Sequence, residues 1–370
     1  MSKVLSLVSY KIFPAKLGGQ KGIALFNRYF SQYHKLTVVT IKDNDPSLAD
    51  YEVLNILSNS KWRYINIFYY FKLRRLTKEK KIDYLLIEHP YFGWLAILLK
   101  WFSGVPFVIH SHNIEGLRFK STGRWWWGLL WNYESFVHRQ AEMSFCISED
   151  DRQYMIRHFG LKVERTLLIT YGIEWDAPPT LQERKMARLQ IQGKHQVPVE
   201  CTLFLFNGTL DYSPNLEAVR AILNKIDPLF TEFSIPYKIF ICGKNLPKEL
   251  EDQALKNENI IYAGFVDDIT TYFKGCDIFI NPVTDGGGIK TKLVEALGYD
   301  MNAVSTQTGA IGVDAGICNG KLLLAPDTNW VEFVNKMKEG MLVQHTIPPE
   351  YYVHFYWKNI ARKAAQFFTP

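Results

Sequence analysis

Short apolar segments recur along this chain, and each is followed by a polar or glycine-containing loop and a stretch with helical spacing. Repeated strand, loop and helix units are typical of a parallel sheet covered by helices on both faces. The pattern therefore predicts the fold class α/β with doubly wound sheets. The predicted strands begin near Val4 and continue at 37–41, 84–89, 106–110, 144–148, 166–172, 202–208, 237–243, 259–265 and 277–282.

A polar segment divides these repeats into two sets, which predicts two domains. The chain has 370 residues, more than one ordinary hydrophobic core accommodates. Residues 174–200 are rich in Pro, Gln, Lys and Arg, and they are predicted to form a linker with a short helix. The N-terminal domain is predicted over 1–173, joined by a C-terminal helix at 352–370, and the second domain over 201–351. Ligands of such sheets bind at the carboxyl ends of the strands, so a site shared by both domains is expected.

The composition excludes several classes of protein. Hydrophobic residues make up 47% and charged residues 22%, as in a soluble globular enzyme. The N-terminus lacks the features of a signal peptide, and the longest apolar run, 91–108, is interrupted by polar residues and a proline, which argues against a membrane-spanning helix. The cysteines show neither a disulfide framework nor zinc-ligand spacing, which favours a reducing, cytoplasmic location. They are Cys146, Cys201, Cys242, Cys276 and Cys318.

The segment GGGIKTKLVEAL, residues 286–297, combines a glycine-rich turn, two lysines and the start of a helix. It follows an apolar strand, so its glycines fall where a helix N-terminus presents free N–H groups to an anion. The helix dipole supplies only about half a positive charge, so the lysines are predicted to supply the rest for a diphosphate. Glu295, one turn further on, is predicted to accept hydrogen bonds from ribose. The predicted diphosphate contacts here are Gly286, Gly287, Gly288, Lys290 and Lys292. The alternative is a solvated lysine pair, with Glu295 an exposed helix charge.

Further segments, in the same order along nearly the whole chain, resemble the motifs of the GT-B glycosyltransferases of family four. A glycine pair lies in PAKLGGQKG, and a histidine-containing loop is SHNIEGLRF. The resemblance implies two doubly wound Rossmann-like domains that face each other across a cleft. The matching segments are 14–22, 111–119, 206–215, 241–245, 263–268, 286–297 and 305–312.

The resemblance also implies an activity and the residues that carry it. The activity is retaining, metal-independent, hexosyl-type transfer from a nucleotide diphosphate sugar to a polysaccharide, oligosaccharide or glycolipid acceptor in cell-surface glycan synthesis. The nucleotide sugar is a substrate, so no cofactor is expected. His112 would lie at the reaction centre, with Glu115 orienting it or the acceptor. Gly18 and Gly19 would approach the donor phosphate, and Gly243 and Val266 would border the base.

Each of these residues has a simpler interpretation. The glycine pair suits an ordinary tight turn, and His112 suits a helix cap or a partner for a buried backbone group. Strand-end packing explains Gly243 and Val266 equally well. Two other functions stay open: a GT-B sugar-nucleotide epimerase, which needs no acceptor, and a non-catalytic subunit that keeps the fold.

The chain departs from the common family pattern at two places. Two glutamates eight positions apart are usual, but Gly287 stands where the first would be, eight positions before Glu295. Many relatives have an arginine after the glycine at position 208, where this chain has Thr209. Lys290 and Lys292 are interpreted as the replacement phosphate charges. Sugar transfer passes through an oxocarbenium-like transition state, in which negative charge grows on the leaving diphosphate. Cations and N–H dipoles can stabilise that charge without a metal ion.

Residues 61–81 form a basic segment, with eight Lys or Arg and one acidic residue. Apolar residues at helical spacing predict a basic amphipathic helix suited to an anionic membrane surface on the inner face of the cell membrane. Ordinary core packing beneath a solvated basic face is the alternative. Nucleic acid is not expected as a partner, because no recognition fold accompanies the patch. The apolar residues are Trp62, Ile65, Tyr69, Leu73 and Leu76.

A three-residue acidic motif, Asp43-Asn44-Asp45, resembles the metal-binding motif of a different glycosyltransferase architecture. It lies between a predicted strand and Pro46, where acidic and amide side chains form turns. A turn is therefore predicted, and no metal ligand is assigned.

Overall fold

The computed structural model describes residues 1–368, which form two compact units. Unit 1 contains residues 1–174, the short segment 287–289, and the chain from Phe355 onward. Unit 2 contains residues 175–286 and 290–354. Each unit is built on one fully parallel sheet, as the repeated strand and helix pattern predicts.

Unit 1 has a seven-stranded sheet in the order β3-β2-β1-β4-β5-β6-β7. Its central strands are buried on both faces, which explains why they are continuous apolar runs and not alternating ones. The strands are β1 Lys3–Val8, β2 Lys35–Ile41, β3 Glu52–Leu57, β4 Tyr84–Glu88, β5 Phe107–Ser111, β6 Met143–Cys146 and β7 Thr166–Leu168. The helices between them are α1 Gly18–Phe30, α2 Phe68–Lys80, α3 Gly93–Ser103, α4 Glu115–Ser121, α5 Trp127–Gln140 and α6 Glu149–Phe159.

Unit 2 has a six-stranded sheet in the order β10-β9-β8-β11-β12-β13. A five-residue π-helical turn, Ile222–Ile226, joins its second and third helices. The strands are β8 Thr202–Asn207, β9 Tyr237–Cys242, β10 Ile260–Gly264, β11 Ile278–Asn281, β12 Asn302–Thr306 and β13 Leu322–Ala325. The helices are α7 Leu181–His195, α8 Ser213–Ala221, α9 Asp227–Thr231, α10 Lys248–Leu255, α11 Ile269–Gly275, α12 Thr291–Gly298, α13 Trp330–Gly340 and α14 Pro349–Phe355.

Each sheet has a point at which the strand order reverses, and this point locates a crevice. In unit 1 the order reverses between β1 and β4, and in unit 2 between β8 and β11. Ligands of doubly wound sheets bind at the carboxyl ends of the strands beside such a point. The residues after these four strands are therefore the first candidates for a functional site.

The segment predicted as a linker with a short helix, 174–200, contains helix α7. Residues from Trp175 onward belong to unit 2, and α7 packs directly against α11. A Cβ on Gly275 would lie 2.6 Å from Ile191 Cδ1, so a glycine is needed where these helices meet. Arg188 also donates to Asp277 at 2.7 Å. Burial of one face of α7 explains why a polar segment is part of a domain.

The C-terminal helix predicted over 352–370 is two helices, α14 and then α15 Trp357–Gln366. Tyr351 and Tyr352, before the break, donate to backbone carbonyls of α12 in unit 2. After the break the chain packs on α1 of unit 1, where His34 Nε2 lies 2.9 Å from the Ala365 carbonyl oxygen. Residues 369 and 370 lie outside the described part of the chain.

Three strands have no counterpart among the predicted segments: β3 at an edge of its sheet, and β12 and β13, which are short. All five cysteines are buried and unpaired, in agreement with the absence of a predicted disulfide framework. Among residues 1–368, no helix has the length and apolar character needed to cross a membrane.

Candidate functional site

A buried carboxylate and two histidines lie at the carboxyl ends of β4 and β5 in unit 1. Glu88 ends β4, and its Oε2 lies 2.6 Å from His112 Nε2 and 3.1 Å from His110 Nδ1. The side chains of Glu88 and His110 are inaccessible to solvent, whereas 13% of the His112 side chain is exposed. His112 is therefore the member of this cluster that a ligand can reach.

The charge on Glu88 determines how the His112 ring is held. Burial alone would raise the pKa of the Glu88 carboxyl, but the two histidines outweigh it and hold that pKa far below its usual value. Burial, together with the neighbouring His110, lowers the pKa of His112 to about 4. A carboxylate only accepts hydrogen bonds, so Nε2 of His112 carries the hydrogen that is donated to Glu88. The neutral ring then offers Nδ1 as an acceptor.

A second buried carboxylate, Glu115, has both oxygens engaged by neighbours. Its Oε1 accepts from His89 Nδ1 at 2.9 Å, and its Oε2 accepts from Tyr91 at 2.7 Å and from Arg118 Nε at 2.7 Å. Burial raises its pKa, but His89 and Arg118 outweigh this and lower it to about 2. Tyr10 completes the network, with its hydroxyl 3.0 Å from His89 Nε2. Glu115 thus acts on its surroundings through His89, whose ring lies 4.6 Å from that of His112.

Another glutamate fixes the start of helix α4. Glu134 accepts from the backbone N–H groups of Glu115 and Gly116, both at 2.9 Å. These are donors that a helix N-terminus leaves without intrahelical partners. Burial raises the pKa of Glu134 to about 8 in spite of these two bonds. The position of Glu115 is therefore set by the backbone as well as by its side-chain partners.

Gly18 and Gly19 begin helix α1, and both are exposed. The loop before them is held by Gln20, whose Oε1 accepts from the N–H groups of Lys16 and Leu17 at 3.0 Å each. A Cβ on Gly19 would lie 3.7 Å from the Tyr10 hydroxyl, so alanine could be accommodated there. The glycine pair thus borders the histidine network through Tyr10.

Three residues of the glycine-rich segment, 287–289, cluster with unit 1 and not with unit 2. Gly288 has a φ of +71°, and a Cβ on it would lie 2.3 Å from Asn113 Oδ1 and 3.2 Å from the His112 carbonyl oxygen. Glycine is therefore required at 288 by backbone conformation and by close packing. Gly287 is under no such restriction, since its nearest neighbour would be 3.7 Å away.

Unit 2 presents a half-buried lysine beside the end of β8. Lys292, in the first turn of α12, donates to the Asn207 carbonyl oxygen at 2.8 Å. Burial lowers its pKa to about 8, although the nearby Glu295 acts in the opposite direction. Lys290 is the N-cap residue of the same helix and donates to the Gly286 carbonyl, where φ is +91°. Both predicted lysines thus lie at the start of α12.

The residues predicted to border the nucleoside are in unit 2. For one of them, Gly243, backbone packing alone explains why the residue is a glycine. A Cβ on Gly243 would lie 1.9 Å from the Gly208 carbonyl oxygen, so glycine is required where the ends of β8 and β9 meet. Val266 lies in the loop after β10 and is half-buried, and Glu295 is half-buried on α12. Their contacts with a nucleoside stay predictions.

The histidine cluster has the composition of a metal site. Within residues 1–368, ligand atoms of Glu88, His110 and His112 all lie within 4.8 Å of one another. Two imidazoles and one carboxylate suit zinc and other transition metals. An ion bound through His112 Nε2 would have to displace the hydrogen that this nitrogen donates to Glu88, because a protonated ring nitrogen has no lone pair for a metal.

The acidic motif at 43–45 forms a turn, as predicted. Asn44 Oδ1 accepts from the N–H groups of Ile12 and Phe13 at 2.9 and 2.7 Å. Asp45 caps a short 3₁₀ helix by accepting from the Ser47 N–H at 3.1 Å. These side chains have structural roles that account for the motif.

Comparison with known proteins decides the family. A model described as Glycosyltransferase Family 4 matches residues 22–176, and a model described as Glycosyl transferases group 1 matches residues 201–341. Together they span both units and most of the chain. The chain is a glycosyltransferase of family four.

Solved structures show the same fold for this glycosyltransferase over its whole length. A glycosyltransferase of Rickettsia africae is 13% identical, with a TM-score of 0.76 over 99% of this chain and 97% of its own. HepE of Anabaena, solved with UDP and glucose, is 15% identical, with a TM-score of 0.72 over 100% and 99%. WaaG, a glycosyltransferase involved in lipopolysaccharide biosynthesis, is 14% identical with a TM-score of 0.68, over 99% of each chain. The fold is GT-B.

One curated relative is closer in sequence. An uncharacterized 44.6 kDa protein in the cps region of Klebsiella pneumoniae is 28% identical over 286 residues, which cover 72% of this chain and 70% of that protein.

In this family four glycosyltransferase the structure brings together some of the predicted residues and adds others. Gly19, His112 and Glu115 belong to one network in unit 1, and Lys290, Lys292 and Glu295 to one helix in unit 2. The partners of the histidine, above all Glu88, were not predicted. The available signal was position: charged and histidine residues directly ending two neighbouring buried strands, YLLIEH and FVIHSH. The added residues are Tyr10, Glu88, His89, Tyr91, His110 and Arg118.

Proposed function

We propose that this glycosyltransferase transfers a hexosyl group, with retention of configuration and without a metal ion, from a nucleotide diphosphate sugar to a glycan or lipid-linked acceptor in cell-surface glycan synthesis. The observation that carries the proposal is the buried Glu88–His112 pair at the switch point of unit 1. A buried ionised carboxylate is costly unless it is paired and hydrogen-bonded, and perturbed ionisable groups of this kind cluster at functional sites.

The proposed donor is supported by the start of α12 in unit 2. Lys292 is half-buried beside the end of β8, where it donates to the Asn207 carbonyl oxygen, and Lys290 is the N-cap residue of the same helix. A helix N-terminus with two lysines favours a diphosphate. HepE, which shares the fold, was solved with UDP and with UDP-glucose. A nucleoside diphosphate sugar is the substrate class that fits these features.

We propose that His112 contacts the donor sugar and that no protein nucleophile is used. The leaving diphosphate would accept the acceptor's proton, and the cations and N–H dipoles would stabilise its growing charge. Because Nε2 of a neutral His112 donates to Glu88, Nδ1 would accept a hydrogen bond from a sugar hydroxyl. Glu115 then acts indirectly, by holding His89 beside the reacting ring. Gly18, Gly19 and the glycines of 286–288 would leave room for the phosphates.

The test is donor consumption by the purified chain. UDP, GDP and ADP sugars are supplied with and without a membrane extract as acceptor source, and the nucleotide and the sugar are followed by mass spectrometry. We expect nucleoside diphosphate release that the extract stimulates and EDTA leaves unchanged. Loss of release in EDTA, restored by zinc, would instead assign Glu88, His110 and His112 as metal ligands.

Two variants and the identity of the product separate the remaining alternatives. His112→Ala should chiefly lower kcat, and Lys290→Ala should chiefly weaken diphosphate binding. Full activity in both variants would refute the proposed site. An isomeric sugar nucleotide formed without acceptor would make the chain an epimerase, and binding without turnover would make it a non-catalytic subunit.

The proposed location is the cytoplasm, with peripheral binding to the inner face of the cell membrane. Five buried cysteines that are all unpaired are consistent with a reducing compartment. The membrane part of the proposal depends on a particular surface of unit 1.

A further inference from the structure

Helices α2 and α3 of unit 1 expose large aromatic side chains side by side. The exposed fractions are 69% for Phe68, 59% for Phe71, 59% for Trp101 and 65% for Phe102. The two helices pack together, and the ring of Tyr70 contacts both Phe71 and Phe102, at 5.3 and 6.4 Å between centroids. We call these four exposed residues the aromatic ridge. Contiguous exposed aromatic groups of this kind mark interaction sites, whereas single ones are common.

Basic residues continue the same face of α2 beyond the aromatic ridge. Positions 68, 71, 72, 75 and 78 follow the three- and four-residue spacing of one helix face, and all five are exposed. The first two are phenylalanines, and the others are Lys72, Arg75 and Lys78. Glu79 is the acidic residue on this face, and it pairs with Arg75 at 2.6 Å. The face is apolar at its beginning and positively charged toward its end.

This arrangement differs from the membrane face that the sequence predicts. Of the predicted apolar stripe, Tyr69 and Leu73 are buried in the core of unit 1, so the alternative of core packing was right for them. Residues 61–65 form a separate 3₁₀ helix, on which Trp62 and Ile65 are exposed. The periodicity identified the buried face of α2, and the exposed aromatic residues lie on the opposite one.

We propose that the aromatic ridge and the basic residues Lys72, Arg75 and Lys78 form a docking surface for an anionic lipid membrane. Aromatic side chains suit the interfacial layer of a bilayer, where their rings are partly removed from water. Lysine and arginine at the same depth bind anionic headgroups, each contributing about a fivefold gain in affinity. The inference deepens the proposed function, on which it rests for an acceptor carried by lipid.

A lipid surface fits this face better than a second copy of the chain. Two copies docked through this face would bring two basic patches of the same sign into one interface, and like charges there oppose association. An anionic bilayer neutralises those charges and accepts the aromatic side chains together. Charge complementarity therefore selects the lipid.

The test is flotation of the full-length protein with vesicles of phosphatidylcholine alone or in an equal mixture with phosphatidylglycerol. Two double variants probe the surface: Phe68→Ser with Phe71→Ser, and Lys72→Glu with Lys78→Glu. The matched controls are on α7 of unit 2, where Met186→Ser with Leu189→Ser removes exposed apolar groups and Lys185→Glu reverses an exposed charge.

We expect the wild-type protein to float with the anionic vesicles, to stay behind with phosphatidylcholine alone, and to detach at high salt. Each surface variant should lose at least about tenfold in vesicle binding, and the controls should bind like the wild type. Absence of wild-type binding, or unchanged binding in both surface variants, overturns the proposal. A concentration-dependent dimer that the phenylalanine variant dissociates would also overturn it, because a second copy would then cover the ridge.

Flotation requires no turnover, so the surface and the enzymatic activity fail independently. Vesicle binding without nucleotide release would refute only the proposed reaction. Release from donor in solution, without vesicle binding, would refute only the docking surface.

Discussion

The two units have charged side chains at the same topological position, but they differ in how far the protein stabilises each charge. At the switch point of unit 1, Glu88 is buried and ionised, with histidines on two sides. At the switch point of unit 2, Lys292 donates to the Asn207 carbonyl oxygen, and its pKa is lowered. The first charge is stabilised by the protein itself, whereas the second lacks part of the stabilisation that an anion would provide. One fold thus supplies a preorganised group in one unit and, in the other, a lysine that we propose binds an anion.

The largest effect is expected at Glu88, because removing one partner of a buried pair leaves the rest uncompensated. Glu88→Ala should lower the free energy of unfolding by roughly 3 kcal/mol and kcat by about a hundredfold. Thermal unfolding and donor turnover measure the two effects. Glu88→Gln keeps the shape and one acceptor oxygen, so it should retain the fold and lose less activity. Wild-type activity in both Glu88→Gln and a folded Glu88→Ala would show that His112 does not depend on this hydrogen bond.

Removal of the Lys292 charge should leave the fold stable and weaken ligand binding, in contrast to the removal of Glu88. Lys292→Met removes a half-buried charge, so the free energy of unfolding at neutral pH should rise or stay within about 1 kcal/mol. Diphosphate affinity should fall by roughly tenfold to a hundredfold with the loss of a charged hydrogen bond. Calorimetric titration with UDP and thermal unfolding give both quantities. Lys185→Met, at an exposed position of α7, is the control, and a strongly destabilised Lys292→Met would show that the lysine is structural.

The lowered pKa of Lys292 predicts a pH dependence with a definite sign. Above pH 8 the lysine loses its proton in the folded protein, so UDP affinity should fall by up to about tenfold per pH unit. The unfolded chain binds the proton up to the ordinary pKa of 10.5, so this group makes stability rise with pH between about 8 and 10.5. In Lys292→Met both contributions should vanish, and their persistence would assign them to another group.

A smaller effect is expected in the glycine-rich segment. Gly288→Ala places a methyl group against Asn113 at a positive φ and should cost about 1 to 2 kcal/mol of unfolding free energy. Gly287→Ala places its methyl group 3.7 Å from Asn113 Oδ1, an ordinary contact distance, and should cost less than about 0.5 kcal/mol. Thermal unfolding of both variants compares them. Equal stability would show that the 287–289 segment adapts without strain.

The sequence predicted the sheets better than the site. The apolar runs specify the strands, because a strand buried on both faces must be apolar throughout, as in β4 and β8. Local motifs also selected His112, Glu115, Lys290 and Lys292 as candidates, because each lies in a loop or at a helix start that follows a strand. No local sequence pattern predicts contacts between side chains on neighbouring strands. Glu88 and His112 are 24 positions apart, and they meet only because β4 and β5 are neighbours in the sheet.

Two helices pack in ways that their composition leaves open. Helix α7 is polar over most of its surface, and α2 has one buried face and one exposed aromatic face. In both helices tertiary packing determines which face is buried, and local composition alone does not. The composition of 174–200 therefore predicts a linker with a short helix. The apolar spacing of 61–81 predicts either a membrane-facing helix or core packing, and Tyr69 and Leu73 of α2 are in the core.

The return of α15 to unit 1 has a consequence for the order in which the protein is made. Residues 1–174 leave the ribosome first, yet Phe30 of α1 and His34 before β2 lack their covering until α15 and Phe368 have been synthesised. The N-terminal unit must therefore wait through the synthesis of the entire second unit before its own fold is complete. During that interval its unfinished surface is the part of the nascent chain that chaperones would have to protect.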